Sequence, residues 1–208
     1  MTARHYWIIA SATTLLFGLL SYLFLDIPTA LWFANLKETG FYRSFKLITR
    51  MGESQWYLAT ALLCYLLLRK TKPAAASSGL LLFSSVALSG LSADLFKFLL
   101  GRARPKLYFR DAIYGFDFFH LEHAWTSFPS GHSATAFSVA STLCLLFPRY
   151  RIVFFLWAAL IAFSRVATTQ HYLSDVLAGS LLGAASTAFL YHRYFKNPSH
   201  ALIPSTIR

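Results

Sequence analysis

The sequence predicts an all-α integral membrane protein: a bundle of six transmembrane helices with a short interfacial helix between the first and second. Three observations carry this reading. Of 208 residues, 56% are hydrophobic and only 13% charged, whereas charged residues make up about a quarter of ordinary globular chains. The apolar residues gather in runs at 6–25, 56–68, 78–100, 133–147, 152–168 and 176–191. A bilayer-spanning helix takes about 20 mostly apolar residues, and these runs reach that length or approach it, the shorter ones drawing on semi-polar flanks. Finally, no repeat, low-complexity tract or flexible linker divides the chain, so residues 1–208 read as a single membrane domain.

The elements follow in order. The first run, YWIIASATTLLFGLLSYLFL, is longer than the 7 to 15 residues of a signal-peptide core, and no small-x-small cleavage site follows it, which predicts a retained helix. Residues 26–54 mix aromatics with Lys37, Arg43, Lys46 and Arg50, a composition suited to a helix lying in the membrane interface. Pro28 marks its expected start and Gly40 an expected break. Its plain role is an anchor; a sharper one is to help admit a lipid substrate. The loop at 101–129 carries Tyr108, Phe109, Tyr114, Phe116, Phe118, Phe119, Trp125 and Phe128. Rings of this kind favour the headgroup level of a bilayer, so the loop is expected to dip into the interface. The tail from His192 to Arg208 is polar, and Pro198 and Pro204 prevent a long helix there. Cys64 and Cys144 both lie inside apolar runs, with neither the spacing nor the location of a disulfide or metal site.

A net charge of +11 on a soluble chain would suggest nucleic acid. In a membrane chain it bears on orientation instead, and no nucleic-acid partner is expected. Six spans put both termini on one side with the turns at 69–72 and 148–151. That side holds Arg4, Arg69, Lys70, Lys72, Arg149, Arg151, Arg193, Lys196 and Arg208 and no acidic residue. The other side holds the remaining basic residues and all eight acidic ones. Setting aside the basic residues retained there for chemistry, the balance predicts cytoplasmic termini.

Three segments carry polar residues where apolar ones belong. Lys97-Phe-Leu-Leu-Gly-Arg-Ala-Arg104-Pro105 ends span three, Pro129-Ser130-Gly131-His132 begins span four, and Ser164-Arg165 through His171 to Asp175 bridges spans five and six. Alternating spans bring all three to one membrane face. Lys97 and Arg104, seven residues apart, are expected on one helix face, where with Arg165 they can grip a phosphate dianion. Each alone could simply snorkel to the headgroups. Asp94, one turn before Lys97, is its expected counter-ion. Ser130 suits an N-cap, and Gly131 lets an anion approach the free N–H groups of a first helical turn. His171 and Asp175, four apart, share a face if helical. The carboxylate then accepts the proton of one imidazole nitrogen and leaves the other as a free lone pair, a competent nucleophile. His132 can deliver a proton to a leaving oxygen. Arg102, Arg110, Glu122 and His123, beside or within the aromatic loop, are candidates for headgroup recognition. The alternative is that the loop only packs over the site.

Taken together, the segments resemble the type 2 phosphatidic acid phosphatase (PAP2) family, a lipid phosphate phosphatase superfamily that also includes vanadium haloperoxidases. Its pattern KxxxxxxRP, PSGH and SRxxxxxHxxxD is matched in order by Lys97–Pro105, Pro129–His132 and Ser164–Asp175, so the motifs occupy residues 97–175. The resemblance implies a membrane enzyme in which His171 attacks phosphorus to form a phosphohistidine, Asp175 orients it, and His132 protonates the leaving group. Lys97, Arg104 and Arg165 would bind phosphate oxygens, helped by Ser130 and Gly131, with no metal or cofactor. It implies a lipid phosphate or diphosphate substrate: polyprenyl diphosphate, phosphatidylglycerol phosphate, phosphatidic acid or lipid A. A bacterial inner-membrane setting with the site facing the periplasm or outside is also implied. A phosphotransferase handing the phosphoryl group to another lipid, and a non-catalytic lipid-binding or transport protein on the same scaffold, remain open.

Overall fold

The computed structural model describes residues 3–196; helices joined by turns and one longer loop make up these residues, with no strand among them. Helix α1 (Ala3–Leu20) runs through a π turn (Ser21–Leu25) into α2 (Asp26–Ala34). The rod Trp7–Ala34 is 28 residues long and mostly exposed, with Ser21, Asp26, Ala30 and Phe33 buried toward its end. The rod therefore continues past Pro28, the expected start of an interfacial segment. That proline falls in the first turn of α2, directly after the π turn, so the rod carries it where the backbone bonding has already left the regular α spacing. The rod ends at Asn35, and Gly40 opens a new helix, α3 (Gly40–Ile48), instead of breaking one. No residue of α3 is buried, and it carries Arg43 and Lys46 beside exposed Phe41 and Leu47. A 3₁₀ turn (Thr49–Gly52) follows it.

Next come α4 (Ser54–Leu68), α5 (Pro73–Leu100), the short α6 (Pro105–Asp111), α7 (Gly131–Leu146), α8 (Arg151–Ala167) and α9 (Leu173–Leu190). Among the described residues, four stretches are long and apolar enough to cross a membrane: Trp7–Ala34, Pro73–Leu100, Pro148–Ala167 and Leu173–Phe195. At 15 and 16 residues, α4 and α7 extend only about 22–24 Å at 1.5 Å per residue, short of a hydrocarbon core of about 30 Å. The polar tail anticipated at 192–208 lies, beyond Lys196, outside the described residues, as does the N-terminal Met1-Thr2.

Helix α7 is the central rod, packed against α5, α8 and α9. Its buried residues are Ser133, Ala134, Thr135, Ala136, Ser138, Ala140 and Thr142, all small. Between helices in lipid the hydrophobic effect is weak, and close backbone approach through small residues does the work. A Cβ on Gly179 or Gly183 of α9 would run into the backbone of Ser130 or of Ala134 and Ser138. The Ser138 hydroxyl donates across this seam to the Gly183 carbonyl at 3.1 Å. The seam fixes the start of α9, with His171 and Asp175, against the start of α7, with His132.

Candidate active site

Helix α5 ends at Gly101, whose left-handed backbone (φ +56°) lets its N–H return to the Lys97 carbonyl at 3.0 Å. The chain then turns sharply, so Lys97 and Arg104 do not share a helix face as the sequence suggested. Arg104 instead precedes Pro105 at the start of α6. Backbone bonds from Ala103 to Gly115 (3.0 Å), Arg104 to Ala124 (2.9 Å) and Ser127 to Arg102 (3.0 Å) tie residues 102–104 to the aromatic loop.

Both groups nonetheless reach one cavity of about 370 Å³, whose lining includes Lys97, Arg104, Gly131, His132, Arg165 and His171, with Asp94, Phe98, His120, Leu121 and His123 also on its wall. Lys97 pairs with Asp94 at 2.8 Å. Its Nζ lies 3.3 Å from where a Cβ on Gly131 would stand, so the glycine leaves room beside the ammonium. The Arg104 guanidinium donates to the carbonyls of His123 (2.9 Å), Gln170 (3.2 Å) and Thr126 (3.0 Å). Two of its five N–H groups thus hold the loop and a third holds the turn between α8 and α9, which leaves two for an anion. Arg165 donates to Thr49 Oγ1 at 2.8 Å, while its buried Nε has no partner. A cationic pocket with unspent donors is built to receive an anion.

His171 is buried and precedes α9 instead of lying on it. Its Nδ1 sits 2.7 Å from the Ser127 carbonyl oxygen, with Asp175 Oδ2 at 3.6 Å. A carbonyl only accepts, so Nδ1 carries the proton and Nε2 keeps its lone pair. Burial first, and then Arg104, Arg165 and Lys97, push the imidazole well below its ordinary range, so it is neutral. Asp175 is spent elsewhere: Oδ2 accepts from Ser127 Oγ (2.6 Å) and the Tyr172 N–H (2.8 Å), and Oδ1 from Arg102.

The remaining candidates divide. Arg102, proposed for headgroups, is fully buried away from the cavity, ion-paired with Asp26 and Asp175. The rings of Tyr22, Tyr114, Phe116, Phe128 and Tyr172 surround its guanidinium at 4.9–5.9 Å. Several loop aromatics thus cage an arginine, whereas Phe118 and Phe119 stay exposed. Arg110 and Glu122 are exposed and outside the cavity lining, Arg110 pairing with its neighbour Asp111 at 2.7 Å. His123 does line the cavity, and Arg104 and then partial burial hold its imidazole below the ordinary range. Ser130 occupies the N-cap position of α7 without capping by its side chain, which is buried and accepts from Ser133 Oγ at 3.0 Å. The site also includes residues that sequence reasoning missed: Thr126 and His120 in the cavity wall, and behind the wall Ser127 against His171, Thr49 against Arg165 and Gly52 against His132. A Cβ on Gly52 would stand 2.9 Å from His132 Cδ2. None of these carries a spacing signal.

A buried neutral imidazole, a second histidine and three cations around one anion-sized cavity, in an apolar helical bundle, define a membrane-embedded phosphatase. The chain belongs to the PAP2 superfamily, whose sequence pattern matches residues 78–199. It is 36% identical over 175 residues to a lipid A 1-phosphatase of Rhizobium etli, covering 77% of this chain and 73% of that one. The fold is similar to that of Aquifex aeolicus LpxE (TM-score 0.61, 20% identity, 79% of this chain and 93% of that one). It is also similar to the transmembrane PAP2-type phosphatidylglycerolphosphate phosphatase of Bacillus subtilis (TM-score 0.62, 23% identity, 87% and 94%).

Proposed function

We propose that this chain removes a phosphate group from a lipid phosphomonoester through a phosphohistidine, with the 1-phosphate of lipid A as the first substrate to test. The observation that carries the reading is the meeting of Lys97, Arg104, Arg165, His132 and His171 in one cavity. Nε2 of His171 attacks phosphorus as the bond to the lipid oxygen breaks, and His132 gives that oxygen its proton. The three cations and the Gly131 N–H offset the charge on the phosphoryl oxygens. His132, now neutral, takes a proton from water, which opens the N–P bond and releases inorganic phosphate. The substrate choice rests on the 36% identity to the Rhizobium lipid A 1-phosphatase.

In this reading α4 and α7 complete six crossings, α3 lies in the interface, both termini face the cytoplasm, and the cavity opens on the far side of a bacterial inner membrane. The exposed Phe118, Phe119 and Leu121 then sit among headgroups and acyl chains beside the cavity mouth. The test is phosphate release by purified protein from lipid A, phosphatidylglycerol phosphate, phosphatidic acid and polyprenyl diphosphate, wild type beside His171→Ala. Release from lipid A by the wild type alone, unchanged by EDTA, supports the proposal. Equal release by both proteins overturns the nucleophile, EDTA-abolished release overturns the metal-free chemistry, and transfer to a second lipid without free phosphate identifies a phosphotransferase.

A further inference from the structure

Asp26 lies at the start of α2, outside the three motifs and outside the matched span 78–199, yet it is fully buried. Its Oδ1 accepts from Ser21 Oγ (2.7 Å) and the Ser174 N–H (3.0 Å); its Oδ2 accepts from Arg102 (2.6 Å), Tyr114 Oη (3.1 Å) and the Ser174 hydroxyl. Arg102 spends one terminal nitrogen on Asp26 and the other on Asp175 and Ser174. Asp175 in turn holds Ser127, whose carbonyl holds His171. A continuous path of bonds therefore joins the first membrane rod to the nucleophile.

Charge decides what the path is for. Two carboxylates flank one guanidinium, so the group as a whole is negative. As Nε2 bonds to phosphorus, positive charge develops on the His171 ring. If Arg102 had Asp175 as its sole partner, it would cancel that carboxylate. Sharing Arg102 with Asp26 leaves Asp175 a net negative field at the ring, in a buried setting where such fields are strong. The field is felt mainly once charge develops, so it bears on the transition state more than on substrate binding.

We propose that Asp26 is a positioning residue for phosphoryl transfer, acting through Arg102 and Asp175 to hold His171 and to favour charge on its ring. The proposal rests on the phosphatase reading above. It also explains a buried arginine that the motif leaves unassigned.

The experiment compares wild type, Asp26→Asn and Tyr114→Phe, each also in an Asp175→Asn background, measuring phosphate-release kinetics and competitive inhibition by inorganic phosphate. The expected result for Asp26→Asn is a fall in kcat of about tenfold, the scale of losing a partner of an orienting group. KM and phosphate inhibition should stay within about twofold because the cations are untouched. Tyr114→Phe, which removes a hydroxyl shared between Asp26 (3.1 Å), the Tyr22 carbonyl (2.7 Å) and the Arg102 guanidinium (3.1 Å) while leaving both carboxylates in place, should show a smaller fall of the same kind and serves if Asp26→Asn does not fold. In the Asp175→Asn background neither change should lower kcat further. Unchanged kcat, equal losses in both backgrounds, or a parallel loss of phosphate binding overturns the proposal. A wild type that releases no phosphate defeats the phosphatase reading instead.

Discussion

His171 Nδ1 lies 2.7 Å from the Ser127 carbonyl and 3.6 Å from Asp175 Oδ2. The backbone, not the carboxylate, fixes the tautomer of the His171 imidazole. Where a carboxylate alone does so, its amide replacement imposes the wrong tautomer and costs about 10⁴ in rate. Here Asp175→Asn should leave Nδ1 donating to Ser127 and reduce kcat by roughly 10- to 100-fold, the range for a supporting partner. His171→Ala should remove turnover. Steady-state phosphate release from the two variants decides it, and an Asp175→Asn enzyme as dead as His171→Ala would show the carbonyl to be insufficient.

Arg165 is braced from an unexpected direction, by Thr49 Oγ1 at 2.8 Å, from the turn that follows α3. Thr49→Val keeps shape and removes the acceptor. A lost hydrogen bond to a charged group is worth about 1.5–3 kcal/mol, or roughly 10- to 150-fold at most. Solvent or phosphate can replace the partner, so KM should rise about 5- to 10-fold, with kcat little changed. A change in kcat with KM constant would mean that Arg165 is placed by other contacts.

What could be read from the sequence was which ionisable residues meet in one place; what could not was the scaffolding that holds them. Lys97, Arg104, His132, Arg165 and His171 stood out because ionisable groups at span ends are conspicuous against apolar runs, and all five line the cavity. Arg102 is equally conspicuous, but composition does not reveal whether a cation faces a ligand or two acids 76 and 73 residues away. Thr49, Gly52 and Ser127 are ordinary residues, made important by the seams that seat them. Each apolar run falls largely on a helix, but the runs missed the continuation of the first rod through Pro28. Helix boundaries there turn on backbone hydrogen bonding at a π turn, which hydropathy does not record.

Gly52 is tight against the site: an added Cβ would stand 2.8 Å from Ile161 Cγ2 and 2.9 Å from His132 Cδ2. Gly52→Ala should therefore push the His132 ring off its position. Misplacing a reacting group by about 1 Å can cost up to about 100-fold, so a fall in kcat of at least about tenfold is expected, with KM nearly unchanged. Gly18→Ala provides the comparison, since nothing stands within 4 Å of its Cβ position, and it should retain full activity. Matched thermal stability with unequal kcat would locate the effect at His132; equal losses in both variants would contradict the geometry.

The neutral state of His171 is open to direct measurement. Burial disfavours its charged form, as do Arg104, Arg165 and Lys97, while the Ser127 carbonyl opposes them. Asp175 is the acid facing it from α9, and His132 and His123 share its cavity. A histidine whose folded pKa is depressed binds fewer protons folded than unfolded. Its contribution to stability is thus present above about pH 6.5 and lost as pH falls below that value toward the folded pKa. In nitrogen NMR of histidine-labelled, ligand-free protein in a lipid nanodisc, His171 should remain neutral at about pH 6, below the ordinary histidine midpoint. Arg165→Gln removes a nearby positive charge and should move the titration upward. A ring that gains its proton near pH 6.5, or a downward move in Arg165→Gln, would mean that the cations do not act on His171.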